Sequence, residues 1–256
     1  MLAMRLLFGS LAAAVVTFTR VPIPWQLESK DFKHASWQLP LLGGLLALLQ
    51  GGLLLALPWT PGSLLLAALL LSLPIVLSGG LHEDGLADFC DGILGGSQPA
   101  KRFEIMKDPR IGCYGALGLF MTLGLSVLAL QATDPSAWFR ALLLSQVIAR
   151  GLAITLTARL DYHQQTTSRA HAYLPARAWS WGHGYALGLS LITLLLLVPP
   201  GLMLVLLILG GLVWHQLWTS AIRHLLGAYT GDVLGAMVKL GELLLLLAAS
   251  LIWPAL

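Results

Sequence analysis

The chain has 256 residues, of which 57% are apolar and only 11% charged, and its mean hydropathy is +0.80. An ordinary soluble domain carries about 25% charged residues, so twelve acidic and fifteen basic side chains cannot cover a water-soluble protein of this size. The net charge of +3 is too mild to suggest a nucleic-acid partner, and two cysteines, Cys90 and Cys113, make neither a disulfide framework nor a CxxC pair.

What remains is a polytopic membrane protein. Residues 1–19 form the first apolar segment, with Arg5 near its start. They resemble a signal peptide in outline, but Thr17, Phe18, Thr19 and Arg20 stand where a cleavage site needs small residues. A retained helix, spanning or interfacial, is expected. A bilayer core of about 30 Å needs roughly 20 apolar residues of helix. Seven later blocks approach that length, at about 38–58, 63–81, 114–131, 138–158, 184–199, 202–222 and 235–254. Pro58, Pro61 and Gly62, then Asp134 and Pro135, then Pro199, Pro200 and Gly201 separate successive blocks by short links. Such links predict helical hairpins, because a spanning segment must satisfy its own backbone hydrogen bonds. Trp25, Trp37, Trp59, Trp138, Trp179 and Trp181 lie near block ends, as interfacial anchors do.

Lysine and arginine give the orientation. Arg20, Lys30 and Lys33, then Lys101, Arg102, Lys107 and Arg110, then Arg159, Arg169 and Arg177, then Arg223 fall in alternate loops. The opposite links hold none, and Arg140, just inside a block, is the one blemish. The predicted fold is an all-α, single integral-membrane catalytic domain over 1–256. About seven transmembrane helices and an N-terminal apolar helix surround a polar site facing the cytoplasm, and the C-terminus lies outside.

Six of the twelve acidic residues fall between Glu83 and Asp108. Asp84, Asp88 and Asp91 stand at i, i+4 and i+7, which on a helix places them within an arc of about 60°. Three carboxylates that close repel one another unless a cation neutralises them. Oxygen-only ligands suit Mg²⁺ or Mn²⁺, which also bind substrate phosphates. Glu83 adjoins the set. Gly79, Gly80, Gly85, Gly92, Gly95 and Gly96 are poor helix formers; close backbone or ligand approach explains them, and so would a plain turn into a loop.

Behind the acids come Lys101, Arg102, Lys107 and Arg110, interleaved with Glu104 and Asp108. Carboxylates for a metal and cations for phosphate oxygens are the requirements of phosphoryl transfer; an ion-paired exposed helix is the other reading. Further on, Asp232 and Glu242 enter an apolar block, where ionisable groups are expensive and usually functional. Lys239 could neutralise either. Arg150 lies deep in the block 138–158, so it either snorkels to the cytoplasmic face or reaches into the site. His82 borders the acids as ligand, base or hydrogen-bond partner. His34, His163, His171, His183, His215 and His224 are scattered at the rims, and Cys90 reads as packing. No HExxH, Walker or GxSxG motif is present.

Asp88-Phe-Cys-Asp91-Gly92 contains DxxDG, the opening of the CDP-alcohol phosphotransferase motif, but Ile93, Leu94, Gly95 and Gly96 then depart from it. A fuller resemblance runs from end to end. Thr19-Arg20-Val21-Pro22-Ile23-Pro24, the string His82 to Asp88 with Asp91-Gly92, and Glu104 to Asp108 with Arg110 and Gly112 are its first parts. Arg150-Gly151 and Thr230-Gly231-Asp232 with Leu234-Gly235-Ala236 and Glu242 complete it. Together they resemble the cobalamin-5′-phosphate synthases, the adenosylcobinamide-GDP ribazoletransferases.

The resemblance implies a membrane enzyme of the bacterial cytoplasmic membrane that joins adenosylcobinamide-GDP to α-ribazole or its 5′-phosphate and releases GMP. It implies Asp84, Asp88 and Asp91 as ligands of Mg²⁺, with Glu83 the weakest of the group, and Asp108 or Glu104 as base or further ligand. Lys101, Arg102, Lys107, Arg110 and Arg150 would touch phosphate. A second copy of the chain and other cobalamin-assembly enzymes are the further partners it allows. A CDP-alcohol-type lipid enzyme and a carboxylate-lined transporter are the alternatives.

Overall fold

The structure, a computed structural model, describes residues 2–57, 63–163 and 179–255, with side chains from residue 7. The link at 58–62, with Trp59, and the expectations for Arg169, His171 and Arg177 lie outside the described residues. Eleven α-helices and no strand are present among those described. They are α1 (Leu2–Phe18), α2 (Ser29–Phe32), α3 (Leu39–Ala56), α4 (Leu64–Ser78), α5 (Leu81–Gly95), α6 (Pro99–Met106), α7 (Cys113–Gln131), α8 (Trp138–Leu156), α9 (Trp181–Leu197), α10 (Leu202–Leu225) and α11 (Gly231–Ile252).

Five helical stretches, those of α3, α7, α8, α10 and α11, are long and apolar enough to cross a membrane; α4 and α5 together make a sixth only as a bent pair. Each of the seven blocks is helical, but the block 63–81 is cut to the 15 residues of α4, and five or six helices, where about seven were expected, are long and apolar enough to cross. The 17 residues of α9 rise about 26 Å, at the lower limit for a crossing. Where the block 63–81 was expected to run straight, the chain turns by 91° at Gly79 and Gly80. Both take left-handed φ values, 69° and 77°, which cost glycine little and other residues much. That turn lays the acid-bearing α5 across the bundle.

An internal proline marks α4. Pro74 has no N–H to give to the Leu70 carbonyl one turn back. Gln50 of α3, fully buried, donates its amide N–H to that carbonyl at 2.8 Å. A polar residue in an apolar helix thus satisfies the acceptor that proline freed, as a water-free environment requires.

The centre of the bundle is α8, 78% of whose span is buried, whereas 17% of the α10 span is. Leu55, Phe120, Leu196 and Leu251 stand out from the bundle, Leu55 with 89% of its surface exposed. In water these would be liabilities; against lipid they are the expected face, since burial among helices gains little over burial in acyl chains. Short backbone bonds join the helix ends. At one end Asp134 N–H donates to Trp253 O at 2.8 Å, and Ala255 N–H to Ala132 O at 2.9 Å. At the other, Tyr229 N–H donates to Asp161 O at 3.0 Å, and Arg20 N–H to Leu77 O at 2.7 Å. The α1 helix packs into this second end with Ala13 and Ala14 wholly buried.

Two expectations from the sequence need correction. Trp138 is not an interfacial anchor: it is fully buried, with its indole N–H on Thr133 O at 2.9 Å. Arg140, the misplaced charge, lies over the Trp253 ring at 4.9 Å, where a cation–π contact shelters it.

Candidate active site

The site begins at a helix crossing. Gly85 of α5 meets Gly235 of α11 so closely that a Cβ on Gly85 would stand 3.0 Å from the Asp232 Cα, and one on Gly235 would stand 3.2 Å from the His82 carbonyl oxygen. This approach brings the first turn of α11 beside the acidic face of α5. Asp84 and Asp88 on α5 thereby share a region with Asp232, and the charges bearing on Asp88 are Asp232, Asp84 and Asp91. Asp232 accepts a hydrogen bond from the Thr230 hydroxyl at 3.1 Å. No ion pair reaches Asp84, Asp88 or Asp232 from any described residue.

Asp91, the third member of the expected triad, is occupied differently. Its carboxylate accepts from Gly112 N–H at 2.7 Å and from Gly115 N–H at 2.9 Å. It therefore caps α7, whose N-terminal N–H groups and dipole favour an anion there. Side chains at Gly112 or Gly115 would fill the space the carboxylate takes.

Glu83 also departs from its expected role as a metal ligand. Lys239 binds Glu83 at 2.9 Å and Glu242 at 2.7 Å, and Arg150 binds Glu242 at 2.6 Å. All four are buried. Two cations and two carboxylates from α5, α8 and α11 thus form a neutral cluster inside the bundle. Arg150, 3% exposed and also donating to Gln146 O at 3.0 Å, neither snorkels nor lies free for phosphate. Of the alternatives for Glu242, the ion pair with Lys239 is the one realised.

The basic run is mostly engaged. Arg102 donates to Gly96 O at 2.9 Å and to Leu225 O at 2.7 Å, closing α6 onto the end of α10. Lys101 pairs with Glu104 at 2.7 Å on an exposed face. Arg110 grips Asp108 through two side-chain bonds, at 2.9 and 2.7 Å. That guanidinium holds the Asp108 carboxyl down at about 2, which makes it a weak proton acceptor. Among the described residues Lys107 alone in this run has no partner.

Beside the acids is a cavity of about 260 Å³, lined by residues of α1, α3, α5, α8 and α11. His82, Asp84 and Asp232 are on its wall, and most of the rest is apolar. The His82 imidazole makes no hydrogen bond to a described residue. The other histidines serve locally: His183 bonds Thr157 at 2.9 Å, His215 bonds Thr155 at 2.8 Å, and His34 and His163 stack on Trp37 and Phe103. Cys90 packs against Gly118 of α7. Among the described residues, no three His, Cys, Asp or Glu side chains converge closely enough to hold a metal ion by themselves.

An all-α polytopic bundle with unpaired carboxylates beside an internal cavity defines a membrane protein with a polar site at one end. The comparisons make it specific. The Cobalamin-5-phosphate synthase family model matches residues 10–250, and the chain belongs to that family. It is 36% identical to the adenosylcobinamide-GDP ribazoletransferase of Klebsiella pneumoniae (strain 342), over 93% of this chain and 98% of the relative. The protein of that name in Syntrophobacter fumaroxidans is 35% identical, over 95% and 97%. That of Bradyrhizobium diazoefficiens is 36% identical, over 94% and 92%. The lipid-enzyme and transporter alternatives are not favoured by these matches. No solved structure matches the chain.

Proposed function

We propose that this chain joins adenosylcobinamide-GDP to α-ribazole or its 5′-phosphate and releases GMP, with Mg²⁺ or Mn²⁺ held at Asp84, Asp88 and Asp232. The observation that carries the reading is three carboxylates left without a cation, Asp84 and Asp232 on the cavity wall and Asp88 adjoining them, in a chain of this family. Their chemistry fits a hard divalent ion. Mg²⁺ takes one or two carboxylates, keeps waters and completes its shell with substrate phosphates, so three ligands converging in the protein alone are not required. When bound, the ion neutralises charge on the diphosphate.

The chain's own groups do the remaining work. His82 accepts the proton of the ribose 3′-hydroxyl as that oxygen bonds to the cobinamide-side phosphorus. The bond from this phosphorus to the departing GMP breaks, and a phosphodiester results. Lys107 and the exposed edge of Arg110 are left to meet phosphate oxygens. Asp91, Arg102 and the buried cluster position α5, α6 and α11 without touching substrate. In liposomes supplied with both substrates, GMP release is expected that stops on chelation. The His82→Asn variant should lose about 10²–10⁴-fold in kcat, the usual contribution of a general base. A full rate in that variant would remove His82 from the mechanism, and no turnover by folded wild-type protein would overturn the reaction.

The site-bearing end faces the cytoplasm of a bacterial inner membrane. Lys30, Lys33, Lys101, Arg102, Lys107, Arg110, Arg159 and Arg223 belong to that end, in keeping with the positive-inside rule. Cys113, exposed at the start of α7, is a native reporter. A membrane-impermeant thiol reagent should label it in inverted vesicles and not in right-side-out ones.

A further inference from the structure

Arg20, in the Thr19–Pro24 segment that the proposed reaction leaves unused, is held beside the cavity. Thr17 and Phe18, at the end of α1 just before it, line the cavity, and so do Leu81 and His82 at the start of α5. Between these two stretches the chain is pinned. The Arg20 N–H donates to Leu77 O at 2.7 Å, and the Thr19 hydroxyl donates to Val15 O at 2.6 Å while accepting from Val21 N–H at 3.1 Å. The Arg20 side chain lies on the turn between α4 and α5: a Cβ on Gly79 would collide with its Nε, Cζ and Cδ. The residue is exposed, and its guanidinium makes no hydrogen bond or ion pair with any described residue. Other arginines are engaged, Arg102 by two carbonyls, Arg110 by Asp108 and Arg150 by Glu242.

Resting on the proposed reaction, we propose that Arg20 grips the diphosphate of adenosylcobinamide-GDP, on the side away from the cation held at Asp84, Asp88 and Asp232. Charge requires such a group. Three carboxylates outweigh one divalent ion, and the diphosphate adds further negative charge, while the buried cluster of Glu83, Lys239, Glu242 and Arg150 is neutral. Position supplies it. Asp84 stands one turn into α5 from the Gly79–Gly80 bend, about 5 Å along the helix axis, so a group that touches both the cation and the guanidinium need be no longer than a diphosphate. The charges bearing on Asp88 and Asp232 are other aspartates and not Arg20; the arginine is set back from the acids and is not paired with them. A planar guanidinium offers parallel N–H groups to phosphate oxygens, and here it meets the charge that builds on the departing GMP. The same chemistry would hold a lipid headgroup phosphate or the 5′-phosphate of the ribazole substrate, and the test separates these sources.

The test uses full-length protein in lipid nanodiscs and the variants Arg20→Gln and Arg20→Lys. Arg20→Gln should lower kcat/KM for adenosylcobinamide-GDP by about tenfold to a hundredfold, the usual cost of a charged hydrogen-bond partner, whether α-ribazole or its 5′-phosphate is the acceptor. Arg20→Lys, which keeps the charge and loses the fork, should fall between. KM for the acceptor should stay within about twofold. Binding of inorganic pyrophosphate with Mn²⁺ present, read by calorimetry, should weaken about tenfold or more in Arg20→Gln, and binding of Mn²⁺ alone should not change. A kinetic loss seen only with the phosphorylated acceptor would move Arg20 to the ribazole phosphate and overturn the assignment. Unchanged kinetics and pyrophosphate affinity would overturn it too. An effect that appears only in nanodiscs with anionic lipid would give the guanidinium to headgroups. Weaker binding of Mn²⁺ alone in Arg20→Gln would make Arg20 a prop of the α4–α5 turn, with no contact to substrate. Absence of GMP release by the wild-type protein would defeat the reaction itself, an outcome that pyrophosphate binding reads separately.

Discussion

At the scale of single residues, the acidic side chains sort by what neutralises them. Asp91 has backbone N–H groups, Glu104 has Lys101, Asp108 has Arg110, and Glu83 and Glu242 share Lys239. Asp84, Asp88 and Asp232 have none of these. Two expectations, Asp108 as base by family resemblance and Asp91 as ligand by helical register, therefore give way to His82 and Asp232 in the reading proposed here. The Asp108 case has a pH consequence. A carboxyl held at about 2 is ionised in folded and unfolded chains alike above about pH 5. Its pairing with Arg110 contributes no slope there, and the stability it adds is lost only as pH falls from about 4 towards 2. The Asp108→Asn variant should keep the shape of the wild-type pH–rate profile between about pH 5 and 9. Loss of one limb of that profile would return Asp108 to the catalytic apparatus.

At the scale of helices, the neutral cluster of Glu83, Lys239, Glu242 and Arg150 fixes how α5 meets α11 and α8. Asp84 follows Glu83 directly, and Asp232 lies two turns before Lys239 on the same face of α11, so this cluster sets the register that brings the aspartates together. Lys239→Met would leave Glu83 buried without its cation beside the Arg150–Glu242 pair, a loss of about 3–5 kcal/mol. Adding Glu83→Gln restores neutrality around the intact Arg150–Glu242 pair and should recover most of the loss, as thermal unfolding in detergent would show. Equal stability of the single and double variants would mean that the cluster does not lock the helices. The helices themselves were legible in the sequence, because breakers such as Pro135 and Pro199–Gly201 bound runs of the right length. The acidic face of α5 was legible from its i, i+4, i+7 register. The partner of that face was not, since Gly85 and Gly235 meet only in the folded chain. Gln50 answering Pro74 was equally hidden, and so was the cavity at Thr17, because neither leaves a spacing pattern within one helix.

At the scale of the molecule, a lipid-facing shell surrounds a centre whose charged groups are divided between structure and chemistry. The buried cluster is neutral and internally paired; at the α5–α11 crossing Asp84 and Asp232 line the cavity without a cation, and Asp88 adjoins them. The central claim is that Asp84, Asp88 and Asp232, drawn from two helices, act as one cation site. Titration of full-length protein in nanodiscs with Mn²⁺, followed by electron paramagnetic resonance, tests it without requiring turnover. The claim predicts that Asp88→Ala and Asp232→Ala each weaken Mn²⁺ binding by at least the roughly tenfold that even an outer-shell partner of a metal costs, while Asp91→Ala lowers thermal stability and leaves the affinity nearly intact. Unchanged affinity in Asp232→Ala, together with a loss in Asp91→Ala, would contradict it and return the metal to a single face of α5.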